Sequence, residues 1–402
     1  MFKYVAKRLG QSVLILLLGS LVMFVLVINS GDPLQDLRES SDPNRENRMI
    51  QRTQMMGLDR PWYMRYLTWL FGVGKCFVGK CDLGRNREGQ QVTALVANAA
   101  GSTLRLVTVA TLLAIVIGIT LGIITAIRQY SGFDYAVTFM AFMFFSLPVF
   151  WFAVLLKHYA AIEFNNWIPT AKMGWDTILI IAAVVALVLT AALGGQMMRR
   201  LVTFLVTFAI VGGVLFYMDA VTWFRRPAVG LPVYVLAVIG AAVLVIVMTS
   251  GFKNPRVRNA VAATGVVAIV GYVVMRPVLM SPQEDPTKFS GVTWMLLGCF
   301  LVALVVAVVA GQLLGGFSRR QATFASIVLA LLASVLAFVD LMLSNWASYI
   351  SLIKRPIPTI AAETPGFEST YWNHMIDTAT HLVLPTVALM VVSVASYIRY
   401  TR

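Results

Sequence analysis

Charge is what this sequence has least of. Only 12% of its 402 residues are charged, against roughly 25% in a soluble globular chain, while 59% are hydrophobic. A water-filled exterior around one core is therefore excluded. Acid is scarcer than base: 18 Asp and Glu stand against 32 Lys and Arg, for a formal net charge of +14. In a soluble chain that excess would suggest nucleic acid, but here the cations are scattered over short connections instead of gathered on one face, so no nucleic-acid partner is expected. Three cysteines exclude a disulfide-built scaffold and a four-ligand zinc site. The three histidines, His158, His374 and His381, form no H-E-x-x-H or i, i+4 pair, which leaves no metal-site signature. G-x-S-x-G is also missing. No catalytic constellation results, and the chain is not expected to be an enzyme; a lipid-modifying membrane enzyme lacks any motif to carry it.

What the sequence has is long apolar runs, at about 10–29, 103–127, 134–157, 177–195, 201–218, 231–250, 259–276, 292–314, 322–344 and 381–398. Each approaches the roughly 20 residues that a helix needs to cross the ~30 Å hydrocarbon layer. Barrel strands would alternate with period two, and these runs do not, so they predict an all-α polytopic transmembrane helical bundle of about ten spans. The seventh is the weakest, because Gly265, Gly271 and Arg276 interrupt it. Lys3, Lys7 and Arg8 precede the first run as in a secretory signal, yet the run is too long and no A-x-A site follows; a retained anchor is the better reading.

Orientation follows from the connections. With the amino terminus cytoplasmic, the inner ones hold Lys3, Lys7, Arg8, Arg128, Arg199, Arg200, Lys253, Arg256, Arg258, Arg319, Arg320, Arg399 and Arg402 against one acid, Asp134. The short outer connections hold nearly as many cations each, so the asymmetry favours this direction by its net charge more than by the usual count of Lys and Arg. Residues 31–102 then lie outside. Trp62, Tyr63, Tyr66, Trp69 and Phe71 make that segment too apolar for a floppy linker and predict a helix suited to the membrane interface.

Within it, GKCFVGKC (Gly74–Cys81) imitates a P-loop but puts Cys81 where Ser or Thr would hold magnesium, and no strand precedes it. Cys76 and Cys81 instead suggest a local external disulfide, the alternative being two free thiols. Cys299 reads as a small apolar filler within a span. Gly118 and Gly122 form a small-xxx-small pair for close helix packing, and Pro148 and Pro385 should bend their spans, either to line a path or merely to pack. Glu163, Asp219, Asp340 and Asp377 fall at predicted span edges, so no buried mid-span carboxylate of the proton-relay kind is expected.

MFKYVAKRLGQSVLILLLGSLVMFVLVINSGDPL, MGLDRPWYMRYLTWLFG with CDLGRN, VANAAGSTLRLVTVATLLAIVIGITLGIITAIRQYSGFDYAVTFMAFMFFSLPVFWFAVLL, NNWIPTA and HLVLPTVALMVVSVASYIRYTR occur in that order. Together they resemble the permease subunits of dipeptide and oligopeptide ABC importers over about residues 1–175 and 378–402. The resemblance implies the type I importer permease fold in a bacterial inner membrane. It also implies a second permease subunit, cytoplasmic ATPase subunits that bind the ATP, and an external substrate-binding protein. No cofactor is implied in this chain. It divides the chain into a first span (1–30), an external segment (31–102), spans two and three (103–175), an inserted region (176–377) and a fourth core span (378–402). Six inserted spans, an even number, start and finish outside and preserve the direction of the fourth. They are expected to be lipid-facing bulk ahead of a regulatory or partner-binding module. The family continues beyond R-Y-T-R into an ATPase-docking loop and two more spans, so a truncated or split permease is expected. The rival is a non-transporting membrane scaffold whose inserted spans bind another membrane protein.

Overall fold

Backbone N–H and C=O groups have no water to pair with in a bilayer, and the apolar runs meet that demand by pairing along helices. The computed structural model describes residues 2–281 and 283–401, without the side chains of Phe2 and Pro286; Met1 and Arg402 lie outside the described residues. Nine described helices are long and apolar enough to cross a membrane, ten when one bent pair counts as a span. The protein is a multi-pass membrane protein of the all-α class.

It divides into two bodies, residues 1–105 and 106–402. The first holds α1 (Phe2–Asn29), α2 (Gln35–Arg38), α3 (Arg45–Met56), α4 (Trp62–Lys75) and the start of α5 (Val92–Ile127). Leu14, Leu16 and Val22 on different faces of α1 are all exposed, so this helix is apolar all round, as a span is. The aromatic residues of the external segment fall on α4. Its Tyr66 is buried, packs edge-on against Phe24 and bonds its hydroxyl to Ser20 Oγ at 2.9 Å. Arg52 joins α3 to α2 through Asp36 at 2.6 Å and holds that carboxyl below the usual carboxylate range.

The second body continues α5 and then departs from the sequence reading. One third span was expected over 134–157; instead α6 (Gly132–Ser146) stops, and the helix that resumes at Val149 and ends at Trp167 is turned by 104°. Two local effects cause the break. Pro148 has no N–H to donate, and its ring pushes Leu147 out of the helical region, to φ −79° and ψ 130°. The resumed helix comprises α7 (Val149–Leu156), a π turn (Lys157–Ile162) and α8 (Glu163–Trp167).

Six helices follow: α9 (Trp175–Leu193), α10 (Met197–Ala220), α11 (Gly230–Thr249), α12 (Pro255–Met280), α13 (Phe289–Leu314) and α14 (Arg319–Leu352). The interrupted seventh run is the continuous α12. α9 and α10 pack as a hairpin, while α14 packs against α11, α12 and α13. Ala322 and Ala325 let the neighbours of α14 approach closely, and Leu329, Val257, Val261 and Val238 fill the space between. Last comes α15 (Tyr371–Thr401), packed on α6, α7 and α14.

α14 and α15 are longer than their apolar runs. Asp340 is fully buried and lies twelve residues before α14 ends at Leu352. It accepts from Arg276 Nε at 2.9 Å, Tyr272 Oη at 2.7 Å, and the Val229 and Gly230 amides at 3.1 Å each. This carboxylate is buried at the level where α11 begins and α12 ends. The apolar-run count likewise puts it near an edge, because Asn345, Trp346 and Ser348 lower the hydropathy of the following turns, which stay helical.

Candidate functional site

The last helix gathers most of the residues singled out from the sequence. Gly118 and Gly122 of α5 are buried against the C-terminal end of α15. A Cβ built on Gly118 would fall 2.5 Å from Tyr397 Cβ, and one on Gly122 would collide with the Thr401 side chain. These glycines set how near the two backbones come. Gly118→Leu combined with Gly122→Leu is expected to cost about 1–3 kcal/mol by overpacking, read as a lower unfolding midpoint in detergent. The matching pair Gly101→Leu and Gly132→Leu meets open space and should move that midpoint far less.

Pro148 heads α7, which also packs on α15, and Pro385 lies within the unbroken α15. The Cys76 and Cys81 sulfurs are joined in a disulfide that belongs to the first body.

Between α6 and α15 lies a cleft of about 190 Å³, lined by Phe142 and Phe145 on one side and by Ala395, Ser396 and Arg399 on the other. Its α6 wall is fixed at the helix start. The Ser131 hydroxyl caps the Asp134 amide at 3.2 Å, and the buried Asp134 carboxylate takes the Tyr130 amide at 3.0 Å. Tyr130 sits at φ 63°, where a side chain is unfavourable, and that carboxylate contact helps to hold the turn. Arg128 then reaches the Leu193 carbonyl at 2.9 Å, tying the connection before α6 to the end of α9.

A second constellation sits at the other end of α15. Asp377 is buried and accepts from the Thr364 amide at 2.9 Å, the Thr364 hydroxyl at 2.6 Å and the Tyr349 hydroxyl at 3.2 Å. His381 Nδ1 lies 2.8 Å from the Asp377 carbonyl and 3.6 Å from its carboxylate. Asn165 on α8 adds a two-way amide clasp, donating to the Ile357 carbonyl at 2.7 Å and accepting the Ile357 amide at 3.0 Å. The connection 353–370 is thereby latched to α8, α14 and α15 together. The sequence reading named Asp377 only as a span-edge acid and His381 only as an isolated histidine, and it passed over Tyr349, Thr364 and Asn165. The only trace was the D-x-x-T-H spacing of Asp377, Thr380 and His381, which places all three on one helical face.

No protein-family model matches the chain. It is 33% identical over 173 residues to the oligopeptide transport system permease protein AppB of Bacillus subtilis, which covers 42% of this chain and 52% of that protein. This chain is similar to the peptide permeases of ABC importers. A second such permease, the oligopeptide transport system permease protein OppB of Mycobacterium tuberculosis, is 31% identical over 156 residues, 39% of this chain and 46% of that protein. The permease protein CntB of a metal-staphylopine import system in Staphylococcus aureus is 24% identical over 203 residues, half of this chain and 64% of that protein. The chain spans about half the length of the oligopeptide permeases it matches. The permease resemblance read from five ordered segments is thus met by named permeases.

Proposed function

We propose that the protein is a membrane-spanning permease subunit of an ATP-driven peptide importer in a bacterial inner membrane, with its amino terminus cytoplasmic. The similarity to AppB carries this reading. In it, the part of α5 in the second body, the broken α6–α7 span and α15 form one side of a pathway completed by a second permease. ATPase subunits bind and hydrolyse the ATP, and an external binding protein delivers peptide to the face that carries residues 31–102. The break at Pro148 supports the reading on physical grounds: a discontinuous span leaves backbone groups free to line a path, and such backbone is tolerated at membrane depth only where protein or a wet cavity covers it.

Charge placement within the second body supports the orientation. Arg128 meets the end of α9, Asn254 bonds Ser318 at 3.0 Å, and Arg256 lies over the Phe317 ring at 4.8 Å. The connection before α6 thus meets the end of α9, and the one before α12 meets the one before α14, so each contact joins two connections that this reading puts on the cytoplasmic side.

The test is uptake together with partner recovery. A strain deleted for the gene is expected to lose most uptake of a labelled tripeptide while keeping that of free amino acids. The tagged full chain, solubilised from its own membranes, should bring down a second permease and an ATPase in comparable amounts. Unchanged tripeptide uptake with no ATPase recovered would sink the proposal and favour a scaffold.

A further inference from the structure

α12, α13 and α14 do not close completely on one another. They leave a cavity of about 850 Å³, within the range of small-molecule sites, and the Tyr371 end of α15 covers part of it. The cause is visible in side-chain size: Ala330, Ala333, Ser334 and Ala337 of α14 face the space, and Ala303 faces it from α13. Long side chains there would have filled it. The space opens on one side, where the lining residues Val267, Val302 and Val335 are exposed, so a molecule from the surrounding bilayer can enter it.

The wall is not uniform. Nearly all of it is apolar, but one cation, Arg276, is among the lining residues, and a third of its side chain is accessible. The Asp340 and Ser344 bonds engage Nε and one terminal nitrogen of the guanidinium, at 2.9 and 3.1 Å. Tyr272 shares the same carboxylate and stacks on Tyr234 with ring centroids 3.9 Å apart, so the Arg276–Asp340 pair is held by a rigid frame. Burying such a pair is unfavourable compared with apolar side chains of similar volume, so a bundle that keeps it beside a cavity has a use for its polarity.

Depth sets what kind of use. Arg276 lies four residues before the end of α12 at Met280, about 6 Å of helix rise, a depth at which a long cation reaches the headgroup region. The cavity follows the same face of α12 from Arg276 down to Thr264, about 18 Å deeper by helix rise. A positive group near the surface with a long apolar slot beneath it is complementary to an acid head on a hydrocarbon tail.

We propose that the six-helix insertion binds an anionic amphiphile, its acid group at Arg276 and its single chain laid along α12 towards Thr264. The site does not depend on the transport reading and gives the inserted helices a ligand of their own. The acid is either a free long-chain carboxylate or the headgroup of an anionic bilayer lipid whose chain enters the slot.

The full chain in phosphatidylcholine nanodiscs, irradiated with hexadecanoic acid bearing a mid-chain diazirine, tests this. Adducts should map to the cavity faces of α12 and α13, around Val267 to Met275 and Cys299 to Val306. Unlabelled hexadecanoate should compete at least tenfold better than its methyl ester. Competition by phosphatidate would assign the site to a bilayer lipid, and competition by hexadecanoate alone to a free acid; either supports the proposal. Ala303→Trp, which fills the slot, should abolish these adducts. Arg276→Gln leaves Asp340 without its cation and can unfold the bundle, so Arg276→Gln with Asp340→Asn serves as a neutral second variant. It should bind the ester as before and lose the tenfold preference for the acid. Adducts spread over all lipid-facing helices, or equal competition by acid and ester in the parent chain, would overturn it.

Discussion

Asp340→Ala is expected to destabilise the α11–α14 bundle by about 3–5 kcal/mol, the usual cost of removing one member of a buried ion pair. The change removes the acceptor of four hydrogen bonds at once: those from Arg276, Tyr272 and the amides of Val229 and Gly230. Both amides lie where the connection from α10 enters α11, so the start of α11 should loosen with the pair. Arg276 would lose its carboxylate and keep, among the described residues, the Ser344 hydroxyl and the face of the Tyr272 ring. Replacing both members, Arg276→Met with Asp340→Leu, should recover only the part of the loss that comes from the unpaired cation, because the Tyr272 hydroxyl and the Val229 and Gly230 amides still lack their acceptor. Unfolding of the purified chain in mixed micelles by increasing fractions of SDS measures both. A single variant within ~1 kcal/mol of the parent, or a double variant no better than the single, would show that the pair does not hold the bundle.

Asp377→Ala should act more locally, by roughly 2–4 kcal/mol, because it leaves the Thr364 amide and hydroxyl without their acceptor, whereas the Tyr349 hydroxyl keeps Thr380 and the Pro356 carbonyl. The segment most affected is the connection 353–370, which also rests on the Asn165 clasp to Ile357. Each 1.4 kcal/mol is a factor of ten in an equilibrium, so opening of this connection should rise at least about tenfold. Limited proteolysis should then cut near Lys354 and Arg355 at least that much faster, with the midpoint of global unfolding changed far less. A cleavage rate equal to that of the parent would mean that the latch is held by the Asn165 clasp alone.

The two aspartates show where reading along the chain stops. Neither belongs to a motif, and both sit where the apolar runs thin out, so a window of hydropathy places them at span edges. What they do depends on Tyr272 and Arg276, 68 and 64 residues away from Asp340, and on Thr364 and Tyr349, 13 and 28 residues away from Asp377. Pro148 differs. Its effect is local steric exclusion at Leu147, and a bend was legible beforehand; its size, 104°, was not, since a proline sets the dihedral of its neighbour but the packing of α7 on α15 sets where the chain goes afterwards. Gly118 and Gly122 lie between these cases. Their spacing announced a close approach, and only the fold named α15 as the element that makes it.

By itself the sequence determined that this chain lives in a bilayer, that its spans are helices, roughly where most of them lie, and which named permeases it is similar to. Those properties follow from how many apolar residues stand in a row and from the requirement that backbone groups pair within each span. Tertiary structure alone decided that Arg276 and Asp340 meet, that Asp377 latches the connection 353–370, and that small side chains on α14 leave a slot beside a cation. Such outcomes depend on which faces of distant helices pack together, and that is set by the joint fit of many side chains, which no single stretch of the chain encodes.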